Sequence, residues 1–213
     1  MPVKCFYVTV AGHSFLIDAG WSEQVVDNAK MHLGFGLNFA SEPVMRKTES
    51  AKYQLREKTV DCILMTHLDC DHVSGVHDFP EKKVICAREE YEYARKNRVR
   101  YGKLLNGLTF AYLDFKTDAQ AVFGKSADVF QDGSVIAYLT PTHSAGSVIY
   151  KITENGKYYL VVGDNGYMKA SWEEGILPGP LYDPDKMLKC LEWIKEKSRD
   201  ENCLGVFCAH EQN

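Results

Sequence analysis

The chain has 213 residues, 45% of them hydrophobic and 25% charged, with a formal net charge of −4. That length can bury one substantial core, and the proportions exclude a disordered tail or a low-complexity polymer. The acidic balance argues against nucleic acid as a partner. The longest apolar stretches, such as Tyr158 to Val162 and Leu204 to Ala209, are strand-sized and far short of the ~18 residues of a membrane span.

Val3 to Val10 and Ser14 to Asp18 read as two strands joined at Ala11-Gly12-His13. The start lacks the basic and long apolar regions of a secretion signal. Seven cysteines are scattered singly, with no CxxC pair. That usage supports neither a disulfide framework nor a zinc ribbon and predicts a cytoplasmic protein. Further on, Met31, Leu33, Phe35, Leu37 and Phe39 alternate, with Gly34 and Gly36 between them. The alternation predicts a strand with one buried face; an acyl-chain pocket beside a mobile glycine flap is the competing reading.

Thr48 to Arg56 reads as a short helix, and Val60 to Thr66 as an apolar strand that runs into a polar cluster. Val84 to Ala87 is another buried strand, followed by a charged helical segment from Arg88 to Arg100. The basic residues of Arg95 to Arg100 read as a solvated helix face, with contact to an anionic substrate as the alternative. Thr109 to Leu139 reads as short strands with a turn at Asp132-Gly133. Ser147 to Thr153 and Lys157 to Gly163 form a hairpin around Asn155-Gly156. Asp183-Pro184 opens the clearest helix, with Asp as cap and Pro in the first turn, and Leu204 to Ala209 closes as a strand. No repeat or linker divides the chain, so residues 1–213 are read as a single domain.

The most informative segment is Thr66-His67-Leu68-Asp69-Cys70-Asp71-His72. In extended backbone His67, Asp69 and Asp71 share one face, while His72 points elsewhere unless the chain turns. Carboxylates abutting the buried run Cys62 to Met65 are costly unless cations compensate them. Cys70 reads as a spacer facing away. Three further donors stand at comparable places: His143 after a strand, Asp164 after Tyr158 to Gly163, and His210 after Leu204 to Ala209. A lone donor at a strand end is more often structural than metallic; the recurrence with the cluster favours a metal centre. His13, His32 and His77 fall outside this pattern and read as surface or hydrogen-bonded histidines.

In that order of residues the sequence resembles the metallo-β-lactamase-fold hydrolases, whose motif is usually HxHxDH and is HxDxDH here. Within them it is most similar to the N-acyl homoserine lactonases. Leu16-Ile17-Asp18-Ala19-Gly20 resembles their early strand-end motif. Gly163-Asp164-Asn165-Gly166-Tyr167 resembles them in setting a tyrosine three residues after the bridging aspartate. Phe207-Cys208-Ala209-His210-Glu211-Gln212 resembles their final histidine strand. The resemblance implies an α/β protein, an αββα sandwich of two mixed β-sheets flanked by helices. It implies two divalent metal ions: His67, Asp69 and His143 on the first, Asp71, His72 and His210 on the second, and Asp164 bridging.

The resemblance also implies a catalytic role for Asp71 as proton shuttle and for Tyr167 as a donor toward the substrate. A metal-bridged hydroxide then attacks the carbonyl of a small-molecule ester, with lactone ring opening as the leading reaction. A thioester or phosphodiester hydrolase on the same fold, a diiron redox protein and a non-catalytic binding protein are the rival readings. Asp69 replaces the family's second motif histidine. Two divalent ions against three carboxylates and a hydroxide leave the centre neutral, one unit below a histidine version, which favours iron or manganese relative to zinc.

Overall fold

Side chains alternate between the two faces of a strand, so a strand that is apolar throughout needs cover on both sides. In the computed structural model, residues 1–211 are described, with the side chains of Phe35 and Ala40 outside that description. Five strands form the first sheet: β1 (Phe6–Val10), β2 (His13–Ile17), β3 (Cys62–Leu64), β4 (Lys83–Cys86) and β5 (Phe110–Tyr112), in spatial order of sequence. β1 and β2 are antiparallel and the other pairs parallel. The second sheet runs in the order β11-β10-β9-β8-β7-β6, with β6 (Lys116–Thr117), β7 (Lys125–Asp128), β8 (Val135–Leu139), β9 (Val148–Glu154), β10 (Lys157–Gly163) and β11 (Cys203–Cys208). It is antiparallel except where β10 meets β11.

Three apolar layers follow from that alternation. Phe15, Ile17, Cys62 and Leu64 face Val135, Ala137, Val148 and Tyr150 between the sheets. Leu16, Ile63 and Met65 point the other way, against α1 (Glu23–Leu33), α2 (Phe35–Ala40), α3 (Ala51–Gln54), α4 (Cys70–Val73), α5 (Arg88–Ala94) and α6 (Arg98–Tyr101). On the far side Ile149, Leu160 and Val162 pack against α7 (Lys169–Glu174) and α8 (Pro184–Ser198). The result is the expected helix–sheet–sheet–helix sandwich.

The segment Met31 to Phe39 runs through the end of α1 and into α2, with a break at Gly34, which overturns the strand reading. Ser22 caps α1 by accepting from the Gln24 N–H, and Val25, Ala29 and Leu33 of α1 and Leu37 of α2 face the core at helical spacing, although Asn28 and Gly34 interrupt the helical backbone. The alternation is a by-product of that longer period: Met31 is 71% and Phe39 88% exposed. The side chain of Phe35, the middle member of the set, lies outside the described residues. The charged segment from Arg88 is broken into α5 and α6, so Arg100 sits on a separate turn of helix. The Asn155-Gly156 turn is as expected, with both residues at positive φ (52° and 77°).

This topology gathers strand ends. β2 and β3 run parallel, while β8, β10 and β11 share one direction in the other sheet. The sheets are tied where these strands finish, by Val148 N–H donating to Thr66 O at 2.8 Å and Tyr150 O–H to Met65 O at 2.9 Å.

Candidate metal centre

Asp18 follows β2 at positive φ (55°), a strained conformation for a residue with a Cβ. The turn aims its buried carboxylate at the end of β3, where it accepts from Thr66 N–H and Thr66 Oγ1–H, both at 2.7 Å. It also accepts from His72 Nδ1 at 2.8 Å. Thr66 Oγ1, its proton given to Asp18, accepts from His67 Nδ1 at 3.0 Å. Gly163 lies so close to Thr66 that a Cβ there would come within 2.7 Å of Oγ1. His210 Nδ1 donates to Pro2 O at 2.8 Å. Three imidazoles are thereby bonded outward through Nδ1 and turn Nε2 inward.

The chain does not stay extended through the cluster. Asp69 is the residue before α4, and Asp71 and His72 project from its first turn. Helix geometry, rather than strand alternation, therefore brings His72 to the same centre as His67. The turn runs Cys70 outward as expected, into the helical layer beside Ser41, where burial pushes its thiol up to about 12.

All seven predicted donors come together. His67 Nε2 lies 3.6 Å from Asp69 Oδ2 and 3.8 Å from Asp164 Oδ2. His143 Nε2 lies 3.0 Å from Asp69 Oδ2 and 3.6 Å from Asp164 Oδ2. On the other side Asp164 Oδ1 is 3.3 Å from His72 Nε2 and 3.1 Å from His210 Nε2. Asp71 Oδ2 is 3.8 Å from His72 Nε2 and 3.7 Å from His210 Nε2. Asp164 is thus shared between two adjoining pockets, with Oδ2 toward His67 and His143 and both oxygens within reach of His210 Nε2, Oδ2 at 3.2 Å.

The donors fit divalent cations. Zinc with bonds of ~2.0–2.1 Å sets its ligand atoms about 3.3 Å apart, the middle of the observed spacings. His67 Nε2, His72 Nε2 and Asp164 Oδ1 are buried polar atoms without a hydrogen-bond partner among the described residues. Such atoms are costly in a core unless something else meets them. Burial opposes charge on His72, but Asp164, Asp71 and Asp18 raise its pKa well above the ordinary value. Burial likewise disfavours the Asp164 carboxylate, and the surrounding histidines hold it well below the usual range.

Sequence reasoning missed two residues here. Arg100, expected on a solvated face, turns into the centre and grips Asp69 with Nε to Oδ1 and Nη2 to Oδ2, each at 2.7 Å. It returns the unit of charge that the added carboxylate removes, so the argument for a harder metal loses its premise. Glu90 is fully buried. Its carboxylate accepts from Leu68 N–H at 3.0 Å, Ser144 Oγ–H at 2.6 Å, Gly146 N–H at 3.0 Å and Tyr101 O–H at 3.3 Å. It ties the loops bearing His67 and His143 to α6. A glutamate one turn into a charged helix carried no signal of this. His13, His32 and His77 each have a hydrogen-bond partner away from the centre, as expected.

Tyr167 stands with its ring centroid 4.8 Å from that of His210 and 6.2 Å from that of His143, and its hydroxyl donates to Gly179 O. A cavity of about 570 Å³ opens beside Asp71 and His210, walled by Trp21, Pro43, Val44 and Met45 and by the first residues of the chain. Met31 to Phe39 do not line it, but Asn38 and Phe39 line a neighbouring cavity that shares Glu42 and Pro43 with it. Gln212, the last residue of the closing motif, lies outside the described residues.

The sequence signature of the metallo-beta-lactamase superfamily matches residues 1–203. The chain belongs to the metallo-beta-lactamase superfamily. Among curated members it is 29% identical over 195 residues to the N-acyl homoserine lactonase AttM of Agrobacterium fabrum, spanning 85% of this chain and 71% of that one. It is 26% identical to the N-acyl homoserine lactonase AiiA of Bacillus thuringiensis subsp. kurstaki, spanning 99% and 82%. A solved superfamily structure, an N-acyl homoserine lactone hydrolase with N-hexanoyl-L-homoserine at its catalytic metal centre, superposes with a TM-score of 0.76 at 25% identity. It covers 98% of this chain and 81% of that one.

Proposed function

We propose that the chain is a metal-dependent hydrolase that opens the ring of N-acyl homoserine lactones. The observation that carries this is the convergence of His67, Asp69, Asp71, His72, His143, Asp164 and His210 at one sandwich edge beside an open cavity. The lactonases among its relatives supply the substrate class. Asp71, His72, His210 and Asp164 would hold one divalent cation. His67, Asp69 and His143, with the other oxygen of Asp164, line the pocket of a second. Imidazole and carboxylate donors suit zinc, iron or manganese. A divalent cation there supplies Lewis acidity toward an ester carbonyl and acidifies a water molecule.

The chain's own groups do the rest. Asp71, 22% exposed toward the cavity, would take the proton of the attacking water and pass it to the leaving alkoxide. Tyr167 would donate its O–H to the oxyanion as the carbonyl becomes tetrahedral. Trp21, Pro43, Val44 and Met45 would receive the acyl chain. We read residues 1–213 as one domain. The seven cysteines, all free thiols, accord with a reducing cytoplasm, and no helix among the described residues is long and apolar enough to cross a membrane.

The test is a substrate panel of N-acyl homoserine lactones, aryl thioesters and phosphodiesters, followed with and without chelator. Lactone opening that chelator abolishes and added metal restores is the expected result. A thioester or phosphodiester turned over far faster than every lactone would overturn the reading.

A further inference from the structure

Arg100 does more than balance Asp69. Its Nη2 lies 2.7 Å from Asp69 Oδ2 and 2.9 Å from His143 Nε2, the two inward atoms that with His67 define the first pocket. In either tautomer His143 Nε2 is already spent. It accepts from Arg100 Nη2, or it donates to Asp69 Oδ2 at 3.0 Å. An imidazole nitrogen has one lone pair at most, and the same lone pair cannot serve a guanidinium and a metal ion. Both oxygens of Asp69 accept from the guanidinium as well.

The second pocket differs. His72 Nε2 has no hydrogen-bond partner, His210 Nε2 meets a carboxylate (Asp164 Oδ2 at 3.2 Å) rather than a guanidinium, and Asp71 and Asp164 bring two negative charges to match a divalent cation.

The position of Arg100 is built, not incidental. Its neighbour Tyr101 is buried and hydrogen-bonded to Glu90. Gly102, at positive φ (58°), lets α6 close on α2, because a Cβ there would come within 2.7 Å of Leu37. The Arg100 side chain is only 21% exposed and cannot swing out without breaking two charge-assisted hydrogen bonds.

We propose that the guanidinium of Arg100 takes the place of one of the two cations, so that the chain retains a single divalent ion, held by Asp71, His72, His210 and Asp164. The proposal deepens the metal-centre reading above and rests on it. A second ion entering the first pocket must displace the guanidinium or sit beside it, and like charges at such separations repel strongly in a partly buried site.

Metal content by mass spectrometry after dialysis against trace zinc, iron or manganese decides it on the wild-type protein alone. One ion per chain is expected. Arg100→Met should gain a second ion, with its affinity by calorimetry raised about tenfold or more. Cobalt substitution adds a spectroscopic readout that needs no activity, since ligand-field bands from two sites replace those from one. Two tightly held ions in the wild type, or an Arg100→Met variant that folds and still holds one, overturn the proposal. Lactone hydrolysis by a two-ion wild type leaves the hydrolase reading standing without it. A one-ion protein that opens no lactone does the reverse, and a protein that binds no ion overturns both.

Discussion

Replacing Asp18 with asparagine asks how the fold aims the donor lone pairs. The carboxylate accepts three hydrogen bonds, from Thr66 N–H and Thr66 Oγ1 at 2.7 Å and from His72 Nδ1 at 2.8 Å. Asparagine offers one oxygen and one NH₂ in the same volume. If its oxygen keeps the buried Thr66 N–H, its NH₂ faces Thr66 Oγ1 and His72 Nδ1. The threonine hydroxyl can rotate to accept. Neutral His72 can satisfy the amide only by accepting at Nδ1, which moves its proton to Nε2. That proton then points at Asp164 Oδ1, 3.3 Å away, and covers the lone pair a cation needs.

Loss of such an outer partner typically lowers metal affinity 10–100-fold, or about 1.4–2.8 kcal/mol, and the reversed tautomer puts Asp18→Asn near the upper figure. Competition with chelators of graded affinity measures the change. Thermal unfolding of the stripped protein serves as control and should move only a few degrees, because shape and the Thr66 bond are retained. Wild-type affinity in Asp18→Asn would refute the tautomer argument.

Other perturbations separate the remaining roles. Glu90→Ala leaves the buried N–H groups of Leu68 and Gly146 unpaired, so urea unfolding should show a loss of about 2–6 kcal/mol. Glu90→Gln, which keeps one acceptor, should lose about half as much, and equal losses would show that shape alone matters. Tyr167→Phe should lower kcat about 10–100-fold at unchanged KM if the hydroxyl serves the oxyanion. An unchanged kcat would assign that hydroxyl to Gly179 alone. In stripped protein, burial opposes charge on His72 and His210, but neighbouring carboxylates raise both pKa values. Their stabilisation is complete below the unfolded value of ~6.5 and is lost as pH rises through the folded one. Asp69 and Asp164 are depressed despite their burial, Asp69 through His143, His67 and Arg100, and Asp164 through His72, His210 and His67. Their stabilisation is present above ~3.9 and lost as pH falls through the folded values. The Tm of stripped protein should therefore peak between ~4 and ~6.5 and fall on the alkaline side, whereas a saturating cation replaces the protons and holds it up. A stripped Tm that climbs from neutral to alkaline pH would contradict this.

Where local rules dominate, the amino-acid order was a reliable guide. Asn155-Gly156 adopts the left-handed pair a tight hairpin needs, and Asp183 caps α8 through Lys186 N–H. Apolar runs such as Cys62 to Met65 are buried on both faces, and the donors follow strand ends, although β11 ahead of His210 leaves Leu204 and Phe207 exposed. The segment from Met31 to Phe39 misled because both periods fit its apolar residues. Helix capping at Ser22 and the packing of Leu33 and Leu37 against α6 selected the longer one.

The sequence by itself determined which groups could bind and that they stand at strand ends, because alternation and turn chemistry act over a few residues. Only the tertiary structure decided what each of them meets. Asp69 and Arg100 are 31 residues apart, and His72 and Asp18 are 54 apart. Charge pairing and tautomer choice depend on distance through space, and nothing in the chain order specifies that distance until both sheets have closed on each other.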